Sequence, residues 1–101
     1  ELHLDGQRPG AKPIATEFVA TSISSRGDGE DQDPRTAAIQ QENECLKWFN
    51  SQRGYVICDV SRDQWLTEFK VVDKVSSKGG DLTTRLKMTV DHGAPGSLAE
   101  A

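Results

Sequence analysis

The sequence predicts an α+β fragment: an antiparallel β-meander over about residues 55–90, one helix over about 35–49 and an N-terminal strand over 13–20. Apolar residues recur every three or four positions in the helical stretch and every second position in the meander. The N-terminal stretch is rich in β-branched and aromatic residues, which favour a strand. We therefore expect the helix to cover one face of the meander.

The N-terminal strand is predicted from "PIATEFVA". Its alternating rows are Ile14, Thr16 and Phe18 on one side and Ala15, Glu17 and Val19 on the other. Pro13 fits the first position of a strand, where the missing N–H is least harmful. Periodicity does not decide whether this strand joins the meander, and in a fragment its partner is expected outside the chain.

A polar loop and a capped helix follow. Residues 24–34, "SSRGDGEDQDP", have almost nothing to bury and predict a mobile surface loop. Asp33 and Pro34 are typical of an N-cap and a first helical position. The apolar stripe of the helix comprises Ala38, Ile39, Cys45, Leu46 and Phe49, with Glu42 interrupting it.

Three strands with short polar connections make up the meander. The rows predicted to face one side are Val56, Cys58 and Val60, then Trp65, Phe69 and Val71, then Leu82, Thr84, Leu86, Met88 and Val90. Residues 91–101, "DHGAPGSLAEA", are predicted to be a disordered tail.

Composition limits the class of protein. The 101 residues carry 12 basic and 16 acidic side chains, and this balance predicts no nucleic-acid-binding patch. No apolar run reaches the length of a membrane span, and the N-terminus has no signal-peptide pattern. The chain starts at Glu1 without a Met, so we expect a single segment, residues 1–101, of a longer chain.

The two cysteines leave three alternatives open: free buried thiols, a Cys45–Cys58 disulfide, or metal ligation. They form no C-x-x-C pair and have no His neighbour at zinc-like spacing. Neither the redox compartment nor the oxidation state follows from this count.

No complete catalytic constellation is present, and no catalytic or metal-binding residue is predicted. The hydroxyls of "TSISS" have no base nearby in sequence, since the histidines are His3 and His92 at the two ends. The acidic run "DGEDQD" lacks the order of a calcium-binding EF-hand loop. A solvated acidic loop is the expected interpretation.

Four blocks nevertheless resemble, in order and approximate spacing, the C-terminal part of PhoD-like alkaline phosphatases. They are "PIATEFVATSISSRGDG" (13–29), "FNSQRGYVICDVSRDQW" (49–65), "FKVVDKVSSKGG" (69–80) and "TTRLKMTV" (83–90). The resemblance implies a parent in the calcineurin-like metallophosphatase superfamily, a two-sheet α/β sandwich that hydrolyses phosphate mono- and diesters. It also implies a bacterial enzyme, secreted or periplasmic, with iron and calcium as cofactors.

The family's metal ligands belong to motifs upstream of this stretch, the last of them a "GD-x-H" motif expected just before Glu1. His3 matches no ligand position, and Cys58 matches a cysteine of a C-terminal strand that is not a ligand. What the resemblance implies for this segment is support of the catalytic sheet, with the rest of the phosphatase chain as its partner and no activity alone. Thr21, Ser22 and Ser24 are its only candidate site residues, expected near the groups that hold the metals.

Two other interpretations remain. The self-contained meander also fits an independent, small, non-enzymatic β-rich binding module. A small stand-alone enzyme is the third, with only unpartnered serines and histidines to recommend it.

Overall fold

The computed structural model describes residues 1–101 as one helix and two antiparallel sheets. The elements are β1 (Leu2–His3), β2 (Pro13–Ala15), α1 (Pro34–Glu42), β3 (Gly54–Val60), β4 (Gln64–Val72), β5 (Leu82–Asp91) and β6 (Ala99–Glu100). β1 pairs with β2, and the second sheet has the order β3-β4-β5-β6. The predicted α+β class is confirmed. The nine-residue helix is too short and too polar to cross a membrane.

The predicted meander is formed by β3, β4 and β5. β3 and β4 pair without interruption from Gly54 opposite Val71 to Val60 opposite Trp65. The connecting turn is closed by the Ser61 hydroxyl, which accepts the backbone N–H groups of Asp63 at 3.2 Å and Gln64 at 3.0 Å. Local hydrogen bonds therefore determine the register of this hairpin.

A β-bulge in the β4–β5 pair corrects part of the predicted strand faces. Phe69 lies opposite Leu86, but the next residue, Lys70, lies opposite Thr84, so Arg85 is the extra residue. Because successive side chains point to opposite faces, the bulge moves Leu82 and Thr84 to the face opposite Leu86. The Lys70 ammonium donates to the Thr84 hydroxyl on that outer face.

The core is small and lies on the inner face of the meander. Thr67, Phe69 and Val71 of β4 and Leu86 of β5 are buried. Only 8 of 101 residues are buried in the whole chain. Trp65, near the start of β4, is on the same face but 42% exposed. Helix α1 packs against no strand of the meander, so the expectation that the helix covers one face of it was wrong, and much of the apolar inner face is open.

The helix begins as predicted and ends earlier. Asp33 caps its N-terminus by accepting the Arg35 N–H at 2.8 Å, and proline occupies the first turn. It ends at Glu42 and not at residue 49, because the Asn43 side-chain amide donates to the Ile39 carbonyl at 2.9 Å. The Asn43 backbone N–H bonds instead to the carbonyl of Gln40. A side chain that takes the helical acceptor competes with the next helical hydrogen bond.

The N-terminal strand is also shorter than predicted. Only Pro13–Ala15 belongs to a sheet, and its partner is Leu2–His3, part of the stretch expected to be irregular. β2 ends at Ala15 because β1 supplies two residues. Beyond it, Thr16 and Phe18 are half-buried while Glu17 and Val19 are exposed. Residues 16–20 thus keep the alternation of a strand without a strand partner.

The loop and tail carry more hydrogen bonds than their sequences indicate. Ser51 exchanges backbone and hydroxyl hydrogen bonds with Glu30, which ties the loop at 24–34 to the chain before β3. The mobility of that loop stays a prediction. In the tail, where no order was expected, Ala99–Glu100 pairs with Met88 and Thr89 of β5. The free edge of β5 supplies the backbone partners that the tail's own sequence does not reveal.

Candidate functional site

The hydroxyls that the sequence singled out are used inside the chain. The Thr21 hydroxyl donates to the Gln52 carbonyl at 2.5 Å. The Ser22 hydroxyl donates to the Ser25 carbonyl at 3.1 Å and accepts from the Arg53 guanidinium at 2.6 Å. Ser24 is exposed. Neither histidine is a hydrogen-bond partner of these three residues, so none of them has an activating base in this chain.

Arg53 joins the start of the polar loop to the chain before β3. Its guanidinium donates to the Ser22 hydroxyl, to the Ser25 carbonyl at 2.8 Å and to the Ser51 carbonyl. Gly29 lies against the same group, since a Cβ there would be 1.9 Å from the Ser51 oxygen and 2.9 Å from the guanidinium. Gly29 also has φ of 77°, a conformation that favours glycine. No pattern in the sequence marks this arginine as important.

The acidic residues of the loop bind donors of the chain itself. Asp28 accepts the N–H groups of Val75 at 2.6 Å and Ser76 at 2.8 Å, and the Ser76 hydroxyl at 2.9 Å. These bonds hold the pKa of Asp28 below its usual value, and the backbone hydrogen bond from Val75 has the largest effect. Asp31 accepts from Arg85 at 2.6 Å, and that bond lowers the pKa of Asp31. The carboxylates of Asp28 and Asp31 therefore act as structural acceptors.

His3 belongs to a small ionic cluster at the N-terminus. Its Nε2 lies 3.1 Å from the Glu1 carboxylate, and its Nδ1 lies 3.8 Å from Glu44. Lys47 also reaches Glu1 at 3.1 Å. Burial opposes ionisation of Glu1, but the hydrogen bonds from His3 and Lys47 hold its pKa below the usual value. No group of three or more His, Cys, Asp or Glu residues lies close enough to hold a metal ion.

Both cysteines are free, so the disulfide alternative does not occur in this structure. Cys45 is half-buried and Cys58 is exposed, in contrast to two buried thiols. The Cys58 sulfur lies 3.9 Å from the hydroxyl of buried Thr67.

An apolar groove lies on the open inner face of the meander. Its volume is about 480 Å³, and 11 of its 17 lining residues are hydrophobic. Trp48 packs on Phe69 with ring centroids 4.7 Å apart, and Phe18 lies 6.2 Å from the Phe69 ring. Phe18 also stacks on Trp65 at 6.5 Å. We call this feature the Phe18–Phe69 groove.

The Phe18–Phe69 groove fits apolar side chains better than a charged substrate. Its ionisable lining residues are Glu1, Glu17, Lys47 and Cys45. Of these, Glu1 and Lys47 already form an ion pair. Residues 16–21 form one wall. The alternating pattern placed Trp65 and Phe69 on one side of their strand, but it could not show that this face is left open.

Fold and groove together define a two-sheet α+β segment whose inner face is incompletely covered. The model of the PhoD-like phosphatase family matches residues 1–69. Alkaline phosphatase D of Bacillus subtilis (strain 168) is 39% identical over 84 residues, which are 83% of this chain and 14% of that protein. A solved structure described as "Structure of PhoD" superposes with a TM-score of 0.91 at 34% identity, covering 99% of this chain and 19% of the other.

The chain belongs to the PhoD-like phosphatase family. It spans 14% of the curated relative and 19% of the solved chain, so it corresponds to a small part of a phosphatase of that kind. The predicted family is confirmed.

Proposed function

We propose that this chain is a non-catalytic, C-terminal segment of a secreted, metal-dependent alkaline phosphatase that hydrolyses phosphate mono- and diesters. Its role is to support the catalytic sheet of that enzyme, and it is inactive alone. The observation that carries the proposal is the combination of family membership with an apolar open face and no activated nucleophile. An incompletely covered hydrophobic face of this kind marks a surface that packs against further protein.

Iron and calcium, the cofactors that we propose for the parent, do not fit the residues of this segment. The carboxylates of Asp28 and Asp31 are occupied by Ser76, by Arg85 and by the backbone N–H groups of Val75 and Ser76. Glu1 and His3 are paired with each other, with Lys47 as the second partner of Glu1. Metal ligands are therefore assigned to the remainder of the parent, and no chemical step is assigned to this chain.

For Thr21, Ser22 and Ser24 we propose a location near the parent's metal-holding groups. Thr21 and Ser22 already bond to Gln52 and Arg53, and these bonds hold the turn after residue 20 in place. Their contribution to catalysis is then the position of this turn. Ser24 has an exposed side chain that is free to contact the remainder of the parent.

The experiment compares this chain with its parent, defined as the longest translated product that contains residues 1–101. Both are assayed with p-nitrophenyl phosphate and bis-p-nitrophenyl phosphate, with iron and calcium supplied. Turnover is expected for the parent and none above the blank for the 101-residue chain. Turnover by the isolated chain would overturn the assignment of a non-catalytic segment, and a folded, inactive parent would overturn the phosphatase function. Fractionation of the producing cells tests the secreted or periplasmic location.

A further inference from the structure

Residues 16–20 have the side-chain alternation of a strand and no backbone partner. None of the five makes a backbone–backbone hydrogen bond within the chain. None is proline, so five N–H donors and five carbonyl acceptors are unpaired within the chain. They continue directly from β2, whose pairing with β1 stops at Ala15. A strand edge of this kind is a template for another strand.

A buried polar atom lies at the same place. The Thr16 hydroxyl oxygen is buried and has no hydrogen-bond partner in the chain. Buried hydroxyls in folded proteins are nearly always paired, and an orphaned one lowers stability. The missing partner therefore belongs to something that lies beside Thr16 in the complete protein.

The groove determines the chemistry of that neighbour. Residues 16–20 all border the Phe18–Phe69 groove, but only Thr16 and Phe18 are half-buried, whereas Val19 is 67% exposed. A strand added beside residues 16–20 in the same sheet places every second side chain on the groove side. The groove is lined by aromatic and aliphatic residues, so those side chains are apolar.

We propose that residues 16–20 pair with a β-strand from the parent chain, outside residues 1–101, whose alternate apolar side chains fill the Phe18–Phe69 groove. The inference rests on the proposed function, because it places this segment inside a larger phosphatase. The occupant is sought in the parent because the chain matches only 19% of the solved PhoD chain, at a TM-score of 0.91. Segments within the chain are already engaged, since β6 pairs with β5 and Asp28 ties the loop to Val75 and Ser76.

Hydrogen exchange of the parent tests the pairing without an activity measurement. Amides of residues 16–20 are expected to exchange at least about tenfold more slowly than unprotected amides. Residues 64–72 of β4, which are paired on both sides, are the internal control. Unprotected exchange at 16–20 in a parent that protects 64–72 would overturn the proposal. Protection at 16–20 in the isolated 101-residue chain, together with a dimer in sedimentation, would also overturn it and identify a second copy as the occupant.

Three substitutions in the parent give a second readout. Val19→Ala removes an exposed side chain and leaves its backbone N–H, whereas Val19→Pro also removes that donor. Ala20→Pro tests the donor that points to the other side of the strand. At least one proline variant is expected to abolish protection of its neighbours in 16–20, and Val19→Ala is expected to keep it. Full protection in both proline variants would contradict the pairing.

The outcomes separate this inference from the proposed function. A parent that hydrolyses p-nitrophenyl phosphate but leaves residues 16–20 unprotected overturns the pairing alone. A parent that protects these residues but has no phosphatase activity overturns the function alone.

Discussion

The indole ring of Trp48 packs on the ring of Phe69, with centroids 4.7 Å apart and 55° between their planes. Tilted aromatic pairs at this separation add attraction to the burial of their area. The contact is possible because the helix ends at Glu42, so that the chain around Trp48 is released from helical geometry and crosses the inner face of the sheet. Phe69 thereby becomes the centre of the small core.

Phe69→Ala tests how much that core contributes to the free energy of unfolding. Phe69 is buried, and truncation of a buried phenylalanine costs about 3–5 kcal/mol of unfolding free energy. Tyr55→Ala, at a position 39% exposed on the opposite face of the sheet, is the control and should cost less than about 1 kcal/mol. Urea denaturation measures both. Equal losses for the two variants would show that the inner face is not the core.

Alanine substitutions at Gly29 and Gly27 test the close packing of the loop against Ser51 and Arg53. Both have positive φ, at 77° and 78°, so alanine is strained at either position. Only at Gly29 does the new Cβ meet the Ser51 carbonyl, at 1.9 Å, whereas at Gly27 nothing lies within 4 Å. We expect Gly29→Ala to lower the melting temperature clearly more than Gly27→Ala. The reverse order would mean that the loop does not pack on Ser51.

Lysine should not be able to replace Arg53. Arg53→Ala removes three hydrogen bonds to Ser22, Ser25 and Ser51 and is expected to cost about 1–3 kcal/mol in chemical denaturation. Arg53→Lys should restore little, because a single ammonium cannot reproduce the planar fork of the guanidinium. Arg62→Ala, at an exposed position, is the control. If Arg53→Lys were as stable as the unmodified chain, only the positive charge of Arg53 would matter.

Glu68 should make the stability of the fold depend on pH in the acidic range. Its carboxylate lies 2.6 Å from the Lys70 ammonium and 2.9 Å from that of Lys87, and these bonds lower its pKa from 4.5 to about 2. A carboxyl whose pKa falls on folding stabilises the fold above its unfolded pKa and loses that contribution as the pH falls through the folded value. Melting temperatures between about pH 5 and pH 2 should therefore fall less steeply for Glu68→Gln than for the unmodified chain. Identical slopes would contradict the ion pairs.

Local patterns predicted the strands of the meander and the start of the helix well. Period-two runs and the Asp33–Pro34 pair are determined by neighbours in sequence, and the structure has both. The faces of Leu82 and Thr84 were wrong because one extra residue, Arg85, reverses the alternation, and a bulge leaves no mark in a hydrophobic pattern.

Features that depend on distant groups were less accessible to the sequence. The sequence excluded an activated nucleophile, because no base lies near Thr21 and Ser22. It did not reveal that the Gln52 carbonyl and the Arg53 guanidinium hydrogen-bond to these hydroxyls. The length of the N-terminal strand was overestimated because alternation at 16–20 indicates strand conformation, whereas sheet membership needs a partner. We propose that this partner lies outside residues 1–101.

Support of the catalytic sheet by this segment is tested by the turnover of p-nitrophenyl phosphate by the parent with and without residues 1–101, followed by addition of the separate 101-residue chain. If this segment supports the catalytic sheet, its removal abolishes turnover, and the added chain restores part of it while remaining inactive alone. Full turnover by the truncated parent would contradict a supporting role of this segment.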